Sequence, residues 1–492
     1  MPIVFVSMTF AVNVIIAAST YSMTSSIFKG SKFAPLLATT AVMTVNPFHG
    51  MGWLVLYYLK PAFLSRAIVY VSLWAAIKKR VVFSISLACL SAFFHPTLGL
   101  EAAIFFLLFT GAHTLLDYKQ HPLIGFKKIY TVFRPHLIAT AILIVYVCLF
   151  WVIPYKISLI DTKLATEKFL EITLFRSERT IVPSTFSPSF YYGAIGFLLV
   201  FACAWILWYR QESTDKNMAL SLLILIVSIL LFCLGGYIFI EIYPTRIWVA
   251  AQAFRMLFLV KLIGLIIMSG VVARLKNWIL SVVGFLIFTF ICAAFGRTEV
   301  AFLFILAVFG WFLLSGLLKN RWVRNSVPIT ILFLLVFESF FHFISPDKLG
   351  DYRPRIQYTS SLAKVDGVGV ADFARKHTEE DAVFLTPPVF GGFRLTAERA
   401  IIVDWKSLPY QDSGLLEWWN RMNVCYGDMS GLSRNAGLEK MKRNYRNIST
   451  EDIRNISEKY DADYAVLYHN TKIDLPVIYQ DEHFKLVKIG KE

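Results

Sequence analysis

Apolar residues along this chain come in long unbroken runs, near 2–20, 33–47, 62–77, 81–97, 98–116, 137–155, 191–209, 218–240, 253–272, 278–294, 299–318 and 327–345. Runs of about 17–20 residues reach the length a helix needs to cross a hydrocarbon core. From "SPDKLGDYRPRIQY" onward the pattern turns polar, with ordinary helical and strand periodicity. "GVADFARKHTEEDAVFLTPP" reads as helix, turn and a short buried strand at Ala382 to Leu385, and "RLTAERAIIVDWK" as a strand ending at Asp404, Trp405 and Lys406. Ser449-Thr450-Glu451-Asp452 has the capping-box pattern that opens a helix, and Tyr464 to Tyr468 reads as the strand that follows it. "LPVIYQDEHFKLVKI" closes as a hairpin. Strands alternating with helices predict a small α/β domain.

The expected fold is therefore a polytopic α-helical membrane protein of about 12 transmembrane helices over 1–345, with a soluble α/β domain over 346–492. Composition agrees: 57% of the 492 residues are hydrophobic and 16% charged, against roughly 25% charged in soluble proteins.

The net charge of +15 changes the picture only through its distribution. Residues 346–492 hold 21 Lys and Arg against 22 Asp and Glu, so the rest of the chain carries +16. That excess sits in short connections: Lys78-Lys79-Arg80, Lys119 to Arg134, Arg274 with Lys276, and Lys319-Arg321-Arg324. Short Lys- and Arg-rich loops stay cytoplasmic. The charge thus reads as topology and not as a nucleic-acid-binding surface. It puts the 156–190 loop, the 241–252 connection and the tail from 346 outside, as expected for a multi-pass protein of the cytoplasmic (inner) membrane with an extracytoplasmic C-terminal domain. Met1 opens almost directly into an apolar run with no basic flank, so an upstream helix and loop are expected. Five of the six cysteines lie in apolar runs and only Cys425 in the soluble part, which leaves no disulfide framework there.

No Walker loop, GxGxxG after a strand, HExxH, CxxC or GxSxG occurs, which speaks against an ATPase, a transferase with its own nucleotide domain, a zinc protease and a serine hydrolase. No motif demands a cofactor, and a divalent metal is left open. What remains is a set of ionisable residues mapping to the outer membrane face. In "SAFFHPTLGLEAAIFFLLF", Pro96 cannot donate a helical hydrogen bond and biases His95 away from helix. The stretch therefore reads as two helices joined by a tight turn, with Glu101 early in the second. "LFRSERTIVPSTF" supplies Arg176 and Arg179, and Asp161 precedes it in the same loop. "FIEIYPTRIWVAAQAFRMLFLVK" supplies Glu241 and Arg246 at the interface, with Arg255 and Lys261 inside an apolar helix. Arg297 and Glu299 lie in the turn "FGRTEV".

An ionisable group within a spanning helix costs roughly 2.5–3.5 kcal/mol even on insertion scales, so it faces a cavity or a partner. Arg keeps its charge and grips phosphate oxygens in a two-pronged fork. Arg176, Arg179, Arg246, Arg255 and Arg297, with His95, are candidate binders of a lipid-linked phosphate. Glu101, Glu241 and Asp161 are candidate general bases toward an acceptor hydroxyl. The segments at Asp404-Trp405-Lys406 and Glu417 to Met422 suggest a carbohydrate-facing patch, but adjacent Trp418 and Trp419 cannot share one side of a helix, so one of them is expected in the core.

Many spanning helices followed by a small outer α/β domain resemble the GT-C class of glycosyltransferases, which use polyprenyl-phosphate sugars. "SAFFHPTLGL", "FRSERTIVPSTF" and "AIIVDWKSLPYQDSGLLEWWNRM" are similar to an uncharacterised bacterial family of polytopic membrane proteins. The resemblance implies transfer from a lipid-linked sugar in surface-polysaccharide assembly, with membrane lipids and the polyprenyl-phosphate-linked sugar as partners. GT-C enzymes place a catalytic acid in the first large outer loop. No Asp or Glu precedes Glu101 here, so that acid is carried onto no position. Two other readings stay open: a transporter or flippase of lipid-linked glycans, and a non-catalytic scaffold or polysaccharide-binding protein. The oligomeric state is left open.

The topology is tested by fusing alkaline phosphatase and green fluorescent protein, in parallel, after Ser345 and after Glu492. Active phosphatase with dark fluorescent protein is expected at both points, and the reverse pattern inverts every loop assignment.

Overall fold

The structure, a computed structural model, describes residues 2–44, 61–120, 126–153, 164–274, 367–390, 392–409 and 411–490. The segments expected at 278–294, 299–318 and 327–345, with Asp161, Arg297 and Glu299, lie outside the described residues. Those described form two compact units, one from residues up to 155, 183–243 and 250–274, the other from 164–182, 244–249 and 367–490.

The first unit is helical. It contains α1 (Pro2–Ile27), α2 (Phe33–Thr44), α3 (Pro61–Ile77), α4 (Val81–Phe94), α5 (Pro96–Gln120) and α6 (Phe126–Val147). After α7 (Thr166–Ile181), which belongs to the second unit, it continues with α8 (Pro188–Arg210) and α9 (Lys216–Tyr237). A short α10 (Arg246–Ala251) precedes α11 (Leu257–Val272). Against an expectation of twelve spans, six helical stretches among the described residues are long and apolar enough to cross a membrane, with three shorter apolar helices beside them. Helix α11 is the core, buried from Leu257 through Val271, and it packs on α2 and α8.

Small and hydroxylated residues let the helices approach one another, which is how membrane helices associate where no water drives them together. Between α3 and α4, Ser65 and Ser91 pair through their hydroxyls at 2.7 Å, and Ser72 donates to the Ser84 carbonyl at 2.7 Å. At the α4–α5 turn a Cβ on Gly99 would fall 2.2 Å from the Ala92 nitrogen, so only glycine fits this close crossing.

The second unit is an α/β layer structure. It has α12 (Val368–His377), β1 (Val383–Leu385), α13 (Phe393–Ala397), β2 (Ala400–Ile401), α14 (Asp412–Tyr426), α15 (Arg434–Arg446), α16 (Thr450–Tyr460), β3 (Tyr464–Tyr468), β4 (Val477–Gln480) and β5 (Phe484–Lys488). Sheet order is β2-β1-β3-β5-β4, with β2-β1-β3 parallel and β3-β5-β4 antiparallel. Alternation along the strands sends Phe384, Tyr464, Val466, Phe484 and Leu486 to one face, against α12 and α13. Leu385, Ala465, Leu467 and Val487 go to the other, against α14, α15 and α16. The capping box is formed: Ser449 Oγ accepts from the Asp452 N–H at 3.0 Å, and Asp452 Oδ2 accepts from the Ser449 N–H at 3.1 Å.

Two expectations change here. The second unit is not confined to the stretch from 346 onward, because α7 and residues 244–249 fold with it. The reason is apolar: α7 inserts Ile172 and Phe175 into the core that α14 and α15 build. Phe175 stands edge-on to Trp405 at 5.6 Å and to Trp419 at 5.3 Å, and a Cβ on Gly437 would meet its ring at 2.3 Å. Secondly, both Trp418 and Trp419 are buried. Adjacent residues on a helix point about 100° apart, but α14 is covered on two sides. Trp418 donates its Nε1–H to the Asp404 carbonyl at 2.9 Å, while Trp419 lies under Phe175. Neither indole is a sugar-facing surface.

Trp419→Ala is expected to cost the second unit about 3–5 kcal/mol through lost burial and the cavity left behind. Burial pushes the nearby Cys425 thiol up to about 12, so at neutral pH a thiol reagent should label it only after unfolding. Mass spectrometry of the peptide carrying Cys425 reads the change as labelling at lower denaturant in the variant; unchanged labelling would mean that the core collapses to fill the gap.

Candidate functional site

Within the helical unit, chain breaks bring ionisable side chains together. Helix α4 ends at Phe94, His95 is extended with φ −148° and ψ 97°, and Pro96 starts α5 as its first residue, where its missing N–H is no loss. The His95 N–H still bonds the Ser91 carbonyl at 3.1 Å, and its ring turns to a partner from another part of the chain. Arg255 Nη1 donates to His95 Nε2 at 2.7 Å. The other ring nitrogen, Nδ1, lies 3.2 Å from Thr97 Oγ1 and 3.4 Å from the Leu98 backbone nitrogen. In this arrangement His95 orients Arg255.

The sequence places Arg255 inside an apolar helix; the structure places it in a 3-10 turn, Ala253–Met256, that leads into α11. The cause is Gln252, in the left-handed region at φ 56°, which breaks the chain after α10. Arg255 is thus held by a tight turn whose backbone N–H bonds the Gln252 carbonyl at 2.9 Å. Lys261 does lie within α11 and is fully buried.

Glu101, in the second turn of α5, is 7% exposed, and among the described residues neither carboxylate oxygen has a hydrogen-bond partner. The charge acting on it is that of Arg255. Leaving a buried polar group unsatisfied costs on the order of 1–3 kcal/mol. Arg66, which the sequence reading passed over within "AFLSRAIVYV", joins the group. It lies 5.1 Å over the Phe258 ring, and its charge and that of Arg255 act on each other. Two guanidinium groups, Arg66 and Arg255, and the unpartnered Glu101 carboxyl group are thus gathered among apolar helices. The signal for Arg66 was the same as for Arg255, an arginine in an apolar run.

The other candidates are placed elsewhere. Glu241, in the π turn that continues α9, accepts from the Ser184 N–H at 2.6 Å. Arg246 belongs to the second unit, where its guanidinium grips Asp412 at 2.5 and 3.1 Å and the Leu164 carbonyl at 3.1 Å; Asp412 also accepts from the Leu164 N–H at 3.0 Å. Arg176, in the same unit, donates from Nε to the Trp405 carbonyl at 2.6 Å and lies 5.0 Å over its ring. Burial and the neighbouring Arg434 pull the Arg176 guanidinium below its ordinary value, with Asp404 opposing them. Arg179 lies on α7, one residue after Glu178, whose carboxylate accepts from the Arg434 N–H at 3.0 Å. Asp161 and Arg297 are outside the described residues. Among the described residues, no group of three or more His, Cys, Asp or Glu is arranged to hold a metal ion.

In the second unit Tyr426 and Tyr445 are buried in the core that includes Leu385, Ala465 and Leu467. Their hydroxyls donate to the Thr386 and Val466 carbonyls at 2.9 and 2.7 Å.

Residues 366–425 match a family model described as a domain of unknown function, DUF6798. The match runs from the start of α12 almost to the end of α14 and includes Trp405, Asp412, Trp418 and Trp419. Among curated proteins, none matches the chain significantly.

Asp412→Asn weakens the clamp that Arg246 and Leu164 share, at an expected cost of about 1–3 kcal/mol. Limited proteolysis should cut within 164–182 sooner in this variant, and not in Glu417→Gln, whose partner Arg421 sits at the exposed surface. Equal cutting in all forms would mean that Ile172 and Phe175 hold the strap unaided.

Proposed function

We propose that the protein is a membrane-embedded, GT-C-like glycosyltransferase that uses a lipid-linked sugar donor in cell-surface polysaccharide assembly. The observation that carries the reading is the buried Glu101 carboxyl group without a partner, set beside Arg255 and the Arg66 region in a wall of apolar helices. In this reading the two arginines hold the donor phosphate through their forks, and His95 keeps Arg255 aimed. An acceptor hydroxyl attacks the anomeric carbon while its proton passes to Glu101. The bond from that carbon to the phosphate oxygen breaks, and its electron pair leaves with the lipid phosphate, whose charge the guanidinium groups stabilise.

The site is proposed to face the outer side of the cytoplasmic membrane. Support comes from the second unit: the 156–190 loop, the 241–252 connection and the tail, which the positive-inside pattern assigns to one side, are the segments that supply its residues. Segments that fold into one unit share a side.

Membranes containing the full chain, supplied with a radiolabelled polyprenyl-phosphate sugar, should move label out of the lipid fraction. Glu101→Gln and Arg255→Gln are each expected to slow transfer about 100-fold or more at unchanged protein level. Full-rate transfer by Glu101→Gln would remove it as the base. Failure of the unaltered chain with every polyprenyl-linked donor tried would sink the enzyme reading.

A further inference from the structure

A second site lies at the basic end of the helical unit, away from Glu101 along α5. The turn between α3 and α4 carries Lys78, Lys79 and Arg80, with Lys79 in the left-handed region at φ 58°. Beside it is a cavity of about 430 Å³ lined by Lys79, Arg80, Val81, Val82, Phe83 and Pro135. Arg134 precedes the lining Pro135 on α6. Lys79 is engaged by Asp117 at 2.5 Å, and Arg80 lies 5.7 Å over the Trp74 ring. Among the described residues Lys78, Arg80 and Arg134 form no ion pair, so the cavity mouth keeps a positive excess. The start of α4 adds the positive end of a helix dipole to the same potential.

The walls are apolar, and the apolar surface continues. On α4 an exposed face runs through Phe83, Leu90 and Phe94, and on α6 through Leu137 and Ile144. The two helices stay together at the far end, where Phe93 meets Tyr146 at 5.6 Å and Phe150 at 4.7 Å. From Phe83 to Phe94 the track is about 16 Å long at a helical rise of 1.5 Å per residue, close to the ~15 Å of one leaflet's hydrocarbon. A basic head cavity joined to an apolar track one leaflet long fits one kind of molecule.

We propose that this cavity binds the phosphate headgroup of an anionic phospholipid, with an acyl chain laid along the α4–α6 face. Basic pockets between membrane helices on the positively charged side take such headgroups. The apolar track sets the lipid apart from a free phosphate, and the cationic mouth sets an anionic lipid apart from a zwitterionic one. Because the site is independent of Glu101 and Arg255, the proposal stands or falls apart from the transferase reading.

Native mass spectrometry of the full chain, released from micelles containing equal phosphatidylglycerol and phosphatidylcholine, tests it. Retained phosphatidylglycerol is expected to exceed phosphatidylcholine. The double variant Arg80→Gln with Arg134→Gln should lose most of that preference, about fivefold for each charge removed. Arg210→Gln, on the end of another helix, should keep it and controls for general charge loss. Equal retention of both lipids, or an unchanged preference in the double variant, would overturn the proposal. So would full displacement by inorganic phosphate, which would mark a free-anion site.

Discussion

The hydrogen bond from Arg255 to His95, 2.7 Å long, is the contact on which the proposed site depends. A guanidinium between apolar helices has no water to satisfy its donors, and helix carbonyls are already taken by the ladder. The acceptor is therefore a side chain, the His95 ring. Pro96 ends α4 at an extended His95, and Gln252 turns the chain into the 3-10 turn that carries Arg255. The charge of Arg255 also acts on Glu101. The bond fixes the arginine without neutralising it, as an ion pair would.

The arginines of the second unit show the contrast. Arg246 meets Asp412 through two prongs and Leu164 through a third contact, and Arg176 is bonded to the Trp405 carbonyl and stacked on its indole. Here the protein itself provides the oxyanion or the aromatic face, and the result is a clasp. Residue type alone does not distinguish the two uses. What differs is whether the fold brings a carboxylate to the fork, and for Arg246 that carboxylate lies 166 residues away in sequence.

Much of the local structure was legible for reasons confined to a few neighbouring residues. Pro96 ends one helix and begins another, the Ser449–Asp452 box opens α16, and β3 and the final hairpin follow their own alternation. What escaped was long-range. The strap formed by α7 looks like a loop until Phe175 finds Trp405, Trp419 and the gap left by Gly437. Trp418 and Trp419 are both interior because α14 is covered twice, which a single helix's periodicity does not reveal. Arg66 carried the same local signal as Arg255, but its meaning comes from Phe258 on another helix.

The depth of Glu101 follows from α5 itself. Near its other end, Asp117 is tied to Lys79 at 2.5 Å and to the Asn217 amide at 2.8 Å. One turn earlier, His113 faces Ser221 Oγ at 3.2 Å. Ser221 gives its own proton to the Asn217 carbonyl at 2.6 Å, so His113 is the donor in that pair. This network anchors α5 to α9 and to the basic turn. Glu101 lies 16 residues from Asp117, about 24 Å along a helix, against a hydrocarbon core of about 30 Å. In the proposed topology, with Asp117 at one interface, Glu101 falls close to the opposite one and not at the midplane. A carboxyl group there can meet a lipid-borne phosphate at headgroup level while the lipid's chain remains in the bilayer, which a midplane carboxylate could not do without drawing the headgroup into hydrocarbon.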